Sequence, residues 1–192
     1  MKRIASLACT ATLALGFAAL VSFAQGKPGA SPIEPSPPAA GGVRKAAAII
    51  EARSGSSMKG TAEFTEQGGK VKLEIRIEGA TPGPHAVHLH EKGDCSDPEA
   101  KSAGGHWNPT SEAHGKWGDS PFHHGDIGNI EVGADRKGSH TLETDLWSIG
   151  GDPGTDVVGR SVVVHASPDD FKTQPTGNAG GRVGCGVIER KK

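Results

Sequence analysis

From Lys70 to Gly79 the chain reads KVKLEIRIEG, and every second side chain is apolar. Val71, Leu73, Ile75 and Ile77 alternate with Lys72, Glu74, Arg76 and Glu78. A period of two puts the apolar set on one face of an extended strand and the charged set on the other. Such a strand is stable only in a sheet with one face packed and the other in water. The preceding run KGTAEFTEQ is a second strand, and Gly68-Gly69 between the two is a hairpin turn. Further strands are expected over 128–134, 140–145, 161–166 and 185–190, with ADRKG at 134–138 as another hairpin turn. KAAAIIEAR at 45–53 suits a strand, although its alanines would also suit a short helix. With 29 glycines and 13 prolines in 192 residues, the composition is that of short strands joined by turns. The expected class is all-β, a sandwich or a barrel.

The first 24 residues stand apart. Lys2 and Arg3 precede the apolar run LACTATLALGFAALVSF, and Ser22-Phe23-Ala24 closes it with small residues where a signal peptidase reads. The run falls short of the ~20 apolar residues a membrane span needs, so no stable membrane insertion is expected after cleavage. Cys9 precedes most of the apolar run and leaves with the signal. Residues 25–43 carry five prolines and little that could pack, which describes a Pro/Ala/Gly-rich linker. The folded domain is expected over 44–192, long enough for one core. A formal net charge of -1 offers no global attraction for nucleic acid, and none is expected as a partner.

Two cysteines remain, Cys95 and Cys185. In an exported chain a distant pair is expected to be oxidised, closing a loop worth roughly 4–5 kcal/mol on the chain-entropy account. Two free thiols ligating a metal are the alternative, although neither sits in a Cys-x-x-Cys spacing.

The nine histidines are unevenly spread. Three fall within HAVHLHEKGDC at 85–95. His88 and His90 are two residues apart on a strand and point to one face. His165 ends SVVVH and completes a three-imidazole group if that strand lies alongside. Such groups suit zinc, copper, iron or nickel, whereas a bare His-x-His also fits an exposed edge strand. Residues 91–127 run without periodicity, as do 167–181, and long irregular segments in compact domains are usually functional or disordered. The first of them holds His106, His114, His123, His124 and Asp126. Three imidazoles and a carboxylate suit tetrahedral zinc, and spacing alone leaves His123 and His124 equivalent.

GPHAVHLHEKGDC, GGHWNP, HHGDIGNI, GRSVVVHASPDD and TGNAGGRVGCGVIER occur in this order. Together they resemble the copper/zinc superoxide dismutase family in its exported bacterial form, over essentially all of 45–190. The resemblance implies an immunoglobulin-like Greek-key β-sandwich or flattened barrel with two long functional loops. It implies one copper and one zinc ion per subunit, superoxide as substrate, and secretion across the inner membrane to the periplasm. By the family pattern His88, His90, His106 and His165 hold copper, while His106, His114, His123 and Asp126 hold zinc. His106 bridges the two metals. Arg182 and His106 are the catalytic side chains, the former guiding the anion. Asp169 is the carboxylate linking both metal sites, and Thr176 narrows the channel. Cys95 and Cys185 match the family disulfide, and the H-x-G-D spacing selects His123 over His124. His85 is expected to brace a loop, His140 to be exposed, and the three tryptophans to serve packing or an interface. The family includes monomers and dimers, so a homodimer is compatible with the sequence.

Departures are few. Residues 169–182 form a short segment compared with eukaryotic members, Gly184 replaces the usual alanine, and WSIGGDPGTDVVG is rich in glycine. A non-enzymatic copper/zinc carrier on the same fold is the alternative function. Such a protein is expected to lose a zinc ligand or the arginine, and this chain keeps both. A purely structural sandwich module leaves seven ordered ligand residues without a role.

Overall fold

The computed structural model describes residues 42–192. The expected signal peptide and nearly all of the expected linker lie outside them; Gly42 and Val43 lead into the first strand without regular structure. Nine strands follow: β1 (Arg44–Ala52), β2 (Lys59–Gln67), β3 (Lys70–Glu78), β4 (Gly83–His90), β5 (Gly128–Val132), β6 (Lys137–Thr144), β7 (Ser161–His165), β8 (Arg182–Val187) and the short β9 (Glu189–Arg190). One 3-10 turn spans Lys101–Ala103. Among the described residues no helix is long and apolar enough to cross a membrane.

All strand pairings are antiparallel, in the order β2-β3-β6-β5-β4-β7-β8-β1-β9. β1 also pairs with β2 from Arg44↔Glu66 to Ile50↔Gly60, which closes eight strands into a barrel and leaves no long open edge. The chain passes from β3 to β4 over the β5–β6 pair, and from β6 to β7 over the β4–β5 pair. These two crossovers make the Greek key.

The alternation read from the sequence is the burial seen. Val71, Leu73, Ile75 and Ile77 are buried, with their charged neighbours outside. β1 resolves as a strand because Ala46, Ala48 and Ile50 face inward at a spacing of two. Gly68 and Gly69 both have positive φ, the backbone that a two-residue type I′ turn requires. Trp107 and Trp147 are buried in the core, and Trp117 packs against it 5.3 Å from the Trp147 ring. At Gly184, a Cβ would land on the Met58 side chain, so methionine fills the space an alanine methyl would take.

One expectation fails here. His140 is half-buried rather than exposed, because β6 begins at Lys137 and puts His140 in phase with Leu142 and Thr144. β8 likewise begins three residues before the expected Cys185, at Arg182. The irregular segments fall where expected, at 91–127 between β4 and β5 and at 166–181 between β7 and β8.

Candidate metal centre

β4 is buried on both faces. Val87 and Leu89 point into the barrel core, so His88 and His90 point out of it, yet both are fully buried. The cover is the β4–β5 segment folding back on its own strand. The Trp107 N–H donates to the Leu89 carbonyl at 2.8 Å, the Leu89 N–H to the Gly125 carbonyl at 2.9 Å, and the Gly125 N–H to the Trp107 carbonyl at 2.9 Å. This set lays His106 antiparallel beside His90. β7 pairs with β4 on the other side, with Val163 opposite His88, and brings in His165 at its end. The His88 and His165 rings are then 5.0 Å apart, and His88 and His106 3.9 Å.

Two groups result. The candidate ligand atoms of His88, His90, His106 and His165 lie within 4.8 Å of one another, as do those of His106, His114, His123 and Asp126. His106 belongs to both, and all seven residues are buried. In the second group Asp126 Oδ1 is 2.9 Å from His106 Nδ1 and 3.2 Å from His123 Nδ1, while Oδ2 is 3.0 Å from His114 Nδ1. Asp169 spans the groups from outside: Oδ2 is 2.9 Å from His88 Nε2 and Oδ1 is 2.9 Å from His114 Nε2.

Among the described residues, every buried side-chain polar atom lacking a hydrogen-bond partner is an imidazole nitrogen. Five of these belong to the two groups: His88 Nδ1, His90 Nε2, His106 Nε2, His165 Nε2 and His114 Nδ1. Their opposite ring nitrogens are engaged. His90 Nδ1 bonds the Gly104 carbonyl at 2.9 Å and His165 Nδ1 the Gly180 carbonyl at 3.3 Å. A buried nitrogen without a partner is costly, and a metal ion removes that cost. The donor sets fit two ions, one ringed by four imidazoles and one by three imidazoles and a carboxylate.

Electrostatics favour the same reading. Burial holds His90 and His165 well below the usual imidazole value, reinforced by neighbouring imidazoles. Burial also lowers His88, against the opposing pull of Asp169, and brings His106 to about 4. These rings are neutral at pH 7, the form that ligates. Burial opposes charge on His114 as well, but Asp126 and Asp169 outweigh it and raise it to about 9. Burial would raise Asp126, yet His106, His114 and His123 hold it well below the ordinary carboxylate range. The second group is therefore a place where positive charge is favoured.

Of the remaining expected residues, Arg182 and His85 adjoin these groups. Arg182 lies across the sheet from His165 in the β7–β8 register. Its guanidinium donates to the Ala100 carbonyl at 2.6 Å and to the Gly104 carbonyl at 2.7 Å. The same Gly104 oxygen receives His90 Nδ1. Thr176 is half-buried in the β7–β8 segment. Cys95 and Cys185 form a disulfide with Cα atoms 5.8 Å apart. The His85 Nδ1–H donates to the His165 carbonyl at 2.7 Å, and Nε2 accepts from the Thr81 hydroxyl at 3.1 Å, a brace behind the first group. His124 stays out of both groups and lies edge-on to Trp107.

Sequence reasoning missed the side chains that hold the loops. Asn129 takes both main-chain groups of Asp169, at 2.8 and 3.0 Å. Gln174 does the same for His114, at 2.9 and 2.8 Å. Asn108 closes its own turn through both main-chain groups of Glu112. Gly177, at φ 65°, passes so close that a Cβ would collide with the Asp169 carboxylate. The only prior signal was the presence of amide side chains in or beside irregular segments.

Comparison with known proteins gives this geometry a context. The family model for copper/zinc superoxide dismutase matches residues 58–188. A Cu-Zn superoxide dismutase of Caulobacter vibrioides is 43% identical over 149 residues, covering 75% of this chain and 85% of its own length. An extracellular Cu-Zn superoxide dismutase of Caenorhabditis elegans is 38% identical over 155 residues, covering 76% of this chain and 69% of its own.

Proposed function

We propose, from the premise that the chain belongs to the copper/zinc superoxide dismutase family, a role for each side chain of the two groups. The protein is an oxidoreductase that converts two superoxide ions and two protons into dioxygen and hydrogen peroxide, with copper and zinc as cofactors. The carrier alternative finds no support.

His88 Nδ1, His90 Nε2, His106 Nε2 and His165 Nε2 hold copper. His106, His114 and His123, each through Nδ1, hold zinc together with Asp126. The observation that carries the copper assignment is the set of four partnerless buried nitrogens whose opposite nitrogens are tied down, and the zinc assignment rests on three Nδ1 atoms gathered around the Asp126 carboxylate. Copper, when bound, supplies the one-electron couple that accepts an electron from one superoxide and returns it to the next.

The chain's own residues do the rest. Arg182 keeps a fixed positive charge beside His90 and His165, both of which feel it. That charge draws in a small anion and orients it. Two carbonyl acceptors pin the guanidinium, so little reorganisation accompanies binding. His106 faces the first group through Nε2 and the second through Nδ1. Its Nε2 would serve the first group as a copper donor and a proton site, while its Nδ1, beside Asp126 in the second group, would be held by zinc. Asp169 fixes the ring orientations of His88 and His114 together. Thr176 borders the approach with Arg182.

Export completes the reading: residues 1–24 act as a signal peptide, 25–43 as a linker and 44–192 as the working domain in the periplasm. The disulfide is compatible with an oxidising compartment.

Metal analysis with superoxide decay tests the assignment. The purified chain loaded with both ions is expected to hold one copper and one zinc and to remove superoxide rapidly. His88→Ala with His90→Ala is expected to lose copper and activity while keeping zinc. Copper content unchanged in that variant would overturn the ligand assignment.

A further inference from the structure

We propose that Gln174 is a positioning residue for His114, setting how tightly the second group holds its metal ion. The inference rests on the assignment of His114 to zinc.

His114 lies in the long β4–β5 segment, outside any strand, so no sheet ladder fixes its main chain. Both its main-chain groups are instead taken by one side chain 60 residues away. The His114 N–H donates to Gln174 Oε1 at 2.9 Å, and Gln174 Nε2 donates to the His114 carbonyl at 2.8 Å. A paired contact of this kind fixes the peptide's rotation as well as its distance, as a strand neighbour would. Gln174 is itself held from its own loop. Asp170 accepts the N–H groups of Lys172 and Thr173, and Gly177 and Asp170 close the turn through the Gly177 N–H to Thr173 and the Asp170 N–H to Gly177.

The imidazole of the same residue meets that loop a second time, at Asp169. His114 is thus gripped at the main chain by Gln174 and at Nε2 by Asp169. Only Nδ1 is left facing His106, His123 and Asp126. Removing the amide leaves the ring on Asp169 and the following peptide on Asp126, through the Gly115 N–H at 3.0 Å, so the His114 main chain loses its hold on the β7–β8 segment and the ring is set less firmly. Gln174 is exposed, and apart from a 3.4 Å contact with the Lys172 carbonyl of its own loop its side-chain hydrogen bonds go to His114, so its effect passes through that residue.

The experiment compares the parent chain with Gln174→Met, which keeps the side-chain length and removes both hydrogen bonds. Three quantities are read: the rate of zinc release to a chelator, the visible bands of cobalt(II) placed in the zinc site, and the melting temperature of the metal-free protein. Zinc release about tenfold faster or more is expected. A shift of the cobalt bands and a nearly unchanged metal-free melting temperature are expected with it. Parent-like release and cobalt bands would overturn the inference. A lowered metal-free melting temperature with parent-like cobalt bands would also overturn it, since that marks a structural role only. Cobalt bands that survive His114→Ala unchanged would overturn the zinc-site assignment and this inference with it.

Discussion

Asp169 carries more of the centre than its position beside a turn suggests. One carboxylate reaches His88 and His114 at 2.9 Å each, so it sets the tautomer and tilt of one ring in each group. Its own main chain is held by Asn129, and Gly177 passes over it with no room for a side chain. Asp169→Asn retains the shape but offers one acceptor oxygen where two ring N–H groups need one. One of those rings then faces an amide NH2. Zinc affinity is expected to fall by about 10–100-fold, the usual effect of losing such a partner, with chelator competition as the measurement. Affinity equal to the parent would mean that the His114 contacts with Gln174 suffice to orient it. The seven residues that the structure gathers into two groups were legible in the sequence as short ordered motifs, and the family's H-x-G-D spacing pointed to His123, which lies in the second group, rather than His124, which does not. Asn129 and Gln174 were not legible. A single amide bonding a main chain 40 or 60 residues away leaves neither period nor spacing.

At the scale of elements, the strands hold few surprises and the loops hold the chemistry. Strands were readable where one face is buried and the other wet, as in β3, whose alternation needs no tertiary knowledge. They were less readable where that contrast fails. β1 uses small alanines on its inner face, and β6 carries Gly138 and His140 where a larger apolar side chain would announce the inside. β7 is buried on both faces because the 91–104 segment covers its outside around Ala100, Ala103 and the disulfide. The loop between β4 and β5 is ordered by returning to β4, and Gly125 sits at the closest approach. A Cβ there would fall on the Leu89 carbonyl oxygen and 3.0 Å from the Trp107 nitrogen, both main-chain atoms that cannot step aside. Gly125→Ala is therefore expected to push the loop off the strand. A cost of about 1–3 kcal/mol in denaturant unfolding is typical of such overpacking. Copper content should fall as well, since His106 hangs between Gly105 and Trp107 in the displaced stretch. Full copper occupancy in this variant would show that His106 does not need the Leu89–Trp107–Gly125 contacts.

In the molecule as a whole, a closed barrel provides rigidity and the disulfide joins that rigidity to the active region. The barrel core is continuous from β1 to β8 without the disulfide. Cys185 lies on β8 across from Val163, while Cys95 lies in the segment that supplies the Ala100 and Gly104 carbonyls to Arg182. Arg53, just after β1, donates to the Cys95 carbonyl at 3.0 Å, and the Ser54 N–H donates to the Pro98 carbonyl at 2.9 Å. The bond spans 90 residues of chain. Replacing both cysteines by serine is thus expected to cost roughly 4–5 kcal/mol on the chain-entropy account, or a fall of roughly 8–20 °C in Tm for a domain of this size. The zinc group proposed at His114, His123 and Asp126 lies away from that segment and should keep its ion, whereas His90 shares the Gly104 carbonyl with Arg182, so copper should be held less firmly. The guanidinium of Arg182 loses its fixed acceptors as well, and with them its fixed charge beside His90. Superoxide decay should then slow and depend less steeply on ionic strength, because steering by a mobile charge is weaker. Metal analysis, thermal unfolding and decay rates at two salt concentrations separate these effects. A lower Tm with an unchanged rate and salt dependence would show that the disulfide stabilises the fold without positioning Arg182. A slowed rate with both ions retained would place the disulfide in the path from fold to anion guidance.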